Sequence, residues 1–355
     1  MECRQYPNPK AKQRKLPVCN SDSGEEAIMP GVADVGKNPR SATRDDSEYD
    51  EAFMQKLLDH GLRVKVVKKT EERPSNWGDI WARLNVPRLS VSQEIFTAEA
   101  FAEFDMRSYG AVDEDKTKRS VIPIIAGDSA DIPHGENISF NNLRDLADGS
   151  LAPAKPLFFD GAYPSAIDQR IRDEIGSYIM PVEEDVDDND KGENMNSGDA
   201  RKAISPCLPN FFMEILGADR ELGAGRRRAF YHGALGARGI HELRSLVDPG
   251  NLLNDRAYTI TAVYQNSRHG SSLRLYTVHP ILIHENQEDV SNSKGRTGYR
   301  VAHLGRWELL KGQNNLAAGA CALRNAREFA AEQRDELIAK ANGFRKRREG
   351  YCIVA

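Results

Sequence analysis

The chain is short of cysteine, of apolar residues in its first fifty positions, and of any long hydrophobic run, and each shortage excludes something. Its five cysteines, Cys3, Cys19, Cys207, Cys321 and Cys352, are odd in number, widely scattered and form no C-x-x-C pair. That argues against a disulfide framework or a thiolate zinc site and for a reducing compartment. Residues 1–30 hold no apolar segment of leader type, so no secretory signal is expected. No run approaches the ~20 apolar residues that cross a bilayer, so no transmembrane segment is expected and the protein is placed in the nucleus or cytosol. Net charge is −4, which excludes a polycation. Any nucleic-acid binding would have to use local basic patches.

Hydrophobic residues make up 39% of the chain, below the ~45–50% usual for a globular protein. The deficit falls on two stretches. Residues 1–48 are rich in Pro, Ser, Asp, Lys and Arg and read as a disordered tail, with a basic cluster at 10–15. Residues 183–205 open with an acidic, Asn- and Gly-rich run and read as a disordered insert. Asp185, Asp187 and Asn189 there have calcium-loop spacing, but Asp190 stands at the required Gly and Asn196 at the required Glu, so calcium is not expected. The remainder suffices for one core: a helical part at 49–119, a core domain at 120–343 and a basic tail at 344–355.

Periodicity predicts helices over 49–60, 97–107, 165–180 with Ser165 as N-cap, and 316–346, and a helix start at Ser75 or Asn76 before Trp77, Ile80, Trp81 and Leu84. One helical turn is expected over 141–146. Residues 63–69 alternate as a short edge strand, 120–127 (SVIPIIAG) reads as a buried strand broken by Pro123, and 157–160 is an apolar run closed by Gly161. Residues 257–265 and 273–279 alternate and are joined through His269-Gly270 as a β-hairpin. His279 and His284, separated by Pro280, lack metal-helix spacing and read as structural.

The chain is organised around 209–217 (PNFFMEILG) and the segment after it. The first is a buried strand carrying one acid, Glu214. The second is a helix over 225–246 that opens with Arg226, Arg227 and Arg228. Three arginines at a helix N-terminus oppose the macrodipole, so helix stability does not account for them. With Arg238 they are candidate phosphate contacts; the competing reading is a solvated helix start. Gly233, Gly236 and Gly239 do not match a phosphate-cradling spacing; Gly233, Gly236 and Ala237 are read instead as a face that lets the helix lie close to a sheet.

The segments NWGDIWARL, RSVIPIIAG, FFDGAYPSAIDQRIRDEIGSYIMP, PNFFMEILG, YHGALGARGIHEL, AYTITAVY and LAAGACALRNAREFAAEQRDELI span about residues 50–340 in order. On them the chain resembles a family widespread in filamentous fungi whose shared region looks like restriction endonucleases of the PD-(D/E)XK type. The resemblance implies an α/β (α+β) fold, a central mixed sheet flanked by helices. It also implies the chemistry of two carboxylates holding Mg²⁺, with a lysine on the same strand face orienting the attacking water.

Typical members read PDFFDGA, then PNFFLEAKG, then a helix starting KRQACYDGA, and this chain departs at each. Leu157 stands at the first Asp, Leu216 at the lysine, Arg228 at the glutamine and His232 at an acid. Asp160 and Glu214 carry over as metal ligands, with Glu174 as a further acid. The expected function is therefore a degenerate nuclease-like domain without nuclease activity that binds nucleic acid. The alternatives are a non-enzymatic scaffold for a protein partner and a weakly active Mg²⁺-dependent nuclease. Separately, Cys352-Ile353-Val354-Ala355 fits a C-a-a-X prenylation box below a polybasic run, the two signals a membrane anchor needs. The competing reading there is a chance match beside a basic nuclear signal.

Overall fold

The computed structural model describes residues 49–64, 73–94, 97–127, 131–181, 205–218, 220–250, 253–267, 270–283 and 295–352. The expected tail, acidic insert, His269, His284 and C-terminal box lie outside these residues, except that the backbone of Cys352 closes the last helix. Among the described residues no helix is long and apolar enough to cross a membrane.

Among the described residues, seven strands form one mixed sheet in the order β1-β7-β6-β5-β4-β3-β2. They are β1 (Leu62–Val64), β2 (His134–Gly135), β3 (Phe158–Ala162), β4 (Cys207–Leu216), β5 (Thr259–Ser267), β6 (Gly270–Ile283) and β7 (Arg296–Glu308). Inside the sheet, β4 is buried at every position, its apolar residues interrupted only by Pro209, Asn210 and Glu214. The chain returns through α8 (Leu222–Val247) to β5, which lies parallel to β4. A parallel neighbour needs such a crossover, whereas β5 and β6 are antiparallel and need only a tight turn. That hairpin is longer than its periodicity suggests, and pairing runs to Ser267 and Gly270.

Helix α8 covers one face, over Phe212, Leu216, Val263, Tyr276 and Val278. It can lie close because Gly233 faces Thr261 and Val278, and Gly236 faces Phe212 and the Pro209 carbonyl. The other face carries Phe211, Met213, Ile215, Ile260 and Leu275. It is covered by α9 (Gln313–Cys352) together with α2 (Trp77–Leu84), α3 (Leu89–Glu94), α4 (Ala98–Gly110) and α6 (Ile122–Ala126). The first helix, α1 (Glu51–Asp59), is capped by Asp50, which accepts from the Phe53 amide at 2.8 Å, and leads directly into edge strand β1 beside β7.

Three local expectations are corrected and one is refined. Residues 120–127 are helical: α5 (Glu114–Ser120) is followed by α6, with Pro123 in its first turn and Gly127 at φ +64 ending it. Proline in a first turn forfeits no hydrogen bond, and a short apolar run does not separate strand from helix. Residues 141–146 form turns and bends without a helix. The helix expected from Ser165 starts later, as α7 (Gln169–Ile179). Asp168 is its N-cap, accepting from the Arg170 amide at 3.0 Å, and Ser165 sits in a short 3₁₀ turn. Asn76 stands at the N-cap position of α2, as expected, but its side chain makes no capping bond. Its amide instead exchanges two hydrogen bonds with the Ala257 backbone, at 2.8 and 2.9 Å, tying α2 to the start of β5.

Candidate functional site

Side chains alternate along β4, so Phe212, Glu214 and Leu216 share one face, and Phe212 and Leu216 place that face under α8. Glu214 is fully buried there. Arg228 Nε donates to one carboxylate oxygen at 2.9 Å, and His232 Nδ1 lies 3.0 Å from the other. These two residues are four apart on α8 and so project from one side of it. The Arg228 guanidinium also reaches Glu114 on α5, with Nη2 3.6 Å from Oε1, and Arg220 Nε lies 3.9 Å from the same oxygen. Leu216 serves as packing against α8: its methyls lie 2.7 and 2.9 Å from where a Cβ on Gly225 would stand. The side chain of Leu216 thus leaves no room for a Cβ at Gly225.

Asp160 goes the other way. It pairs in register with Phe211, whose ring belongs to the α9-side core, while its neighbour Phe159 pairs with Phe212 on the α8 side. Asp160 therefore faces α9, where Arg327 holds it as a fork, with Nε to Oδ2 and Nη2 to Oδ1 both at 2.8 Å. Both partners are nearly or fully buried, and the guanidinium sits 4.9 Å from the Phe158 ring centre.

Asp160 and Glu214 thus lie on opposite faces of the sheet. Oxygens that share a Mg²⁺ ion sit ~2.1 Å from it, so the two cannot hold one ion. Each carboxylate already has a guanidinium nitrogen at hydrogen-bond distance. Among the described residues no group of three or more His, Cys, Asp and Glu side chains is arranged to hold a metal ion. The donor set does not fit Mg²⁺. Glu174 is not brought near either acid: it is on the exposed side of α7 and pairs with Arg345 of α9.

The four candidate phosphate contacts do not share a surface. Arg226 is half-buried, with its guanidinium carbon 5.8 Å from the Phe230 ring centre and 5.7 Å from that of Tyr276. Arg227 donates to the Tyr49 carbonyl at 2.5 Å and approaches Glu221 at 3.8 Å. Arg228 is the buried partner of Glu214. Arg238 lies farther along α8, donating to the carbonyls of Arg144 and Asp145 beside the Tyr178 ring. Burial lowers its pKa. His279 is fully buried, and burial followed by Arg300 pushes its pKa down to about 4, so its ring is neutral at pH 7. Its Nε2 lies 3.3 Å from Asp255. Cys207 and Cys321 are buried thiols, and burial pushes Cys207 up to about 12, well away from nucleophilic chemistry.

Sequence reasoning missed the α9 arginines. Arg324 donates to the Ile124 and Ile125 carbonyls at the end of α6, both at 3.1 Å, Arg327 holds Asp160, and Arg334 donates to Asn210 at 3.1 Å. Their spacing of three and seven puts them on the stripe of Leu323 and Ala330, which is the signal that they point inward. No protein-family model, curated protein or solved structure matches this chain.

Proposed function

We propose that this chain is a non-catalytic interaction domain built on a nuclease-like sheet. One observation carries the reading: Glu214, at the position of a metal-binding acid, is sealed between Arg228 and His232, with Leu216 in the lysine's place. An acid-bearing strand pair, β3 and β4, followed at once by α8 is the layout the resemblance leads one to expect, and this supports the ancestry. The chemistry of that ancestry needs an acid that can take a metal and a lysine that can stabilise developing charge. Losing one such electrostatic contact costs on the order of a hundredfold in rate. Here the lysine is absent and the acid is committed to an arginine. The sealed carboxylates then act as internal ties of a scaffold, and its surface serves a partner.

The test is to titrate the purified full chain with Mg²⁺ and Mn²⁺ by calorimetry and to incubate it with both metals and duplex DNA, single-stranded DNA or RNA. The expected outcome is no cleavage, and the same metal titration for the native chain and Glu214→Gln. Metal-dependent cleavage that Glu214→Gln abolishes would overturn the reading.

A further inference from the structure

The α8 face of the sheet carries a second cluster that the buried acids leave unexplained. Arg274 of β6 stands directly opposite Arg306 of β7, and Tyr276 stands opposite His303. Directly paired residues on antiparallel strands have Cβ atoms ~5 Å apart, and like charges so placed repel. Arg226 closes the group from α8, its guanidinium over the Tyr276 ring, and Tyr276 in turn lies 5.3 Å from the His303 ring. Arg274 is buried, 7% exposed, and donates to Ser272 Oγ at 2.7 Å. Burial, then Arg306 and Arg226, lower its pKa, so the cluster works against its own charge. Glu308 takes Arg306 at the rim. Arg226, Arg274 and Arg73 all act electrostatically on His303. The site is reached from solvent, since His303 is exposed and the Arg306 side chain is 45% exposed.

We propose that Arg226, Arg274, Arg306 and His303 form a binding site for a small diphosphate-bearing anion. The guanidinium fork matches phosphate oxygens, and three such forks call for more than one negative charge. The footprint, one strand pair and one helical turn, suits a single compact anion rather than a run of phosphates along a polymer. The ligand is either free pyrophosphate or the diphosphate of a nucleotide, since both present the same chemistry. The inference does not rest on the nuclease-like ancestry, because it uses none of Asp160, Glu214 or Arg228.

The experiment is calorimetric titration of the full chain with inorganic pyrophosphate at low salt, repeated with ADP and with a short DNA duplex. Pyrophosphate should bind, and Arg306→Gln, an exposed position where folding is not at stake, should weaken it about tenfold. Arg274→Gln should weaken it further, and Arg226→Gln serves in its place should the buried substitution unfold the chain. Tighter binding of ADP than of pyrophosphate assigns the nucleotide, and the reverse assigns the free anion. Failure to bind pyrophosphate at millimolar concentration, or unchanged affinity in both Arg306→Gln and Arg226→Gln, would sink the proposal. A duplex binding more tightly than either small anion would overturn the assignment to a small ligand.

Discussion

At the scale of single residues, the protein joins its layers with arginine. Arg228 ties α8 to β4 through Glu214, and Arg327 ties α9 to β3 through Asp160. A buried pair is a weak source of net stability, because desolvating both charges offsets most of their attraction, but breaking one leaves an uncompensated charge. Arg327→Met is therefore expected to lower unfolding free energy by about 3–5 kcal/mol in urea at pH 7. Adding Asp160→Leu should recover most of that loss, since two apolar residues then meet against Phe158. A double variant no more stable than Arg327→Met would show that the arginine acts through something other than the carboxylate. The acids were legible from the sequence as charges inside apolar runs. Their partners were not: Arg228 is 14 residues from Glu214 and Arg327 is 167 from Asp160, and local pattern carries no information over the second distance. Nor does a motif say which face of a strand an acid uses, which is why two carboxylates expected to converge lie on opposite sides of β3 and β4.

At the scale of elements, periodicity identified α1, α4, α9, the β5–β6 hairpin and the buried strand β4, because each has a long apolar stripe, an apolar run or a clear alternation. It failed where runs were short. SVIPIIAG has too few residues to reveal a period, and the packing of α6 under Arg324 decides its form. The expectation that glycines let α8 approach the sheet is met in detail, and it sets the sign of a substitution. Alanine in a helix ordinarily improves on glycine by up to about 1 kcal/mol. Nothing lies within 4 Å of a Cβ at Gly343 of α9, so Gly343→Ala should raise stability by that amount. At Gly236 the new methyl would stand 2.6 Å from a Phe212 ring carbon and 2.7 Å from the Pro209 carbonyl oxygen. The backbone oxygen cannot give way without shifting α8 from β4, so Gly236→Ala should instead cost about 1–3 kcal/mol. Thermal or urea midpoints of the two variants, moving in opposite directions, are the check.

At the scale of the whole molecule, the question is whether the helices before residue 120 are an appendage or part of one cooperative unit. The sequence separates 49–119 from 120–343 by its helical character alone. In three dimensions that segment supplies an edge strand, β1, to the common sheet. It also places Phe53, Leu57 and Leu62 under the α8-side core, and Ile80, Leu84, Val91 and Phe104 under the α9-side core, none more than 5% exposed. Burying a large apolar side chain contributes about 1.5–3 kcal/mol, so these seven together contribute roughly 10 kcal/mol or more before the entropy of ordering them. Domains of ordinary stability unfold at about 5–15 kcal/mol in total. A fragment beginning at residue 120 would expose the apolar surfaces that α1, α2 and α4 now cover and would lose the only described neighbour of β7 on its outer side. It is expected to show no cooperative urea transition and to lose the near-ultraviolet circular dichroism of its packed aromatics, whereas a chain beginning at residue 49 keeps both. A fragment from 120 that unfolds cooperatively near the full-length midpoint would instead make the N-terminal helices a separable layer and the sheet a self-sufficient core.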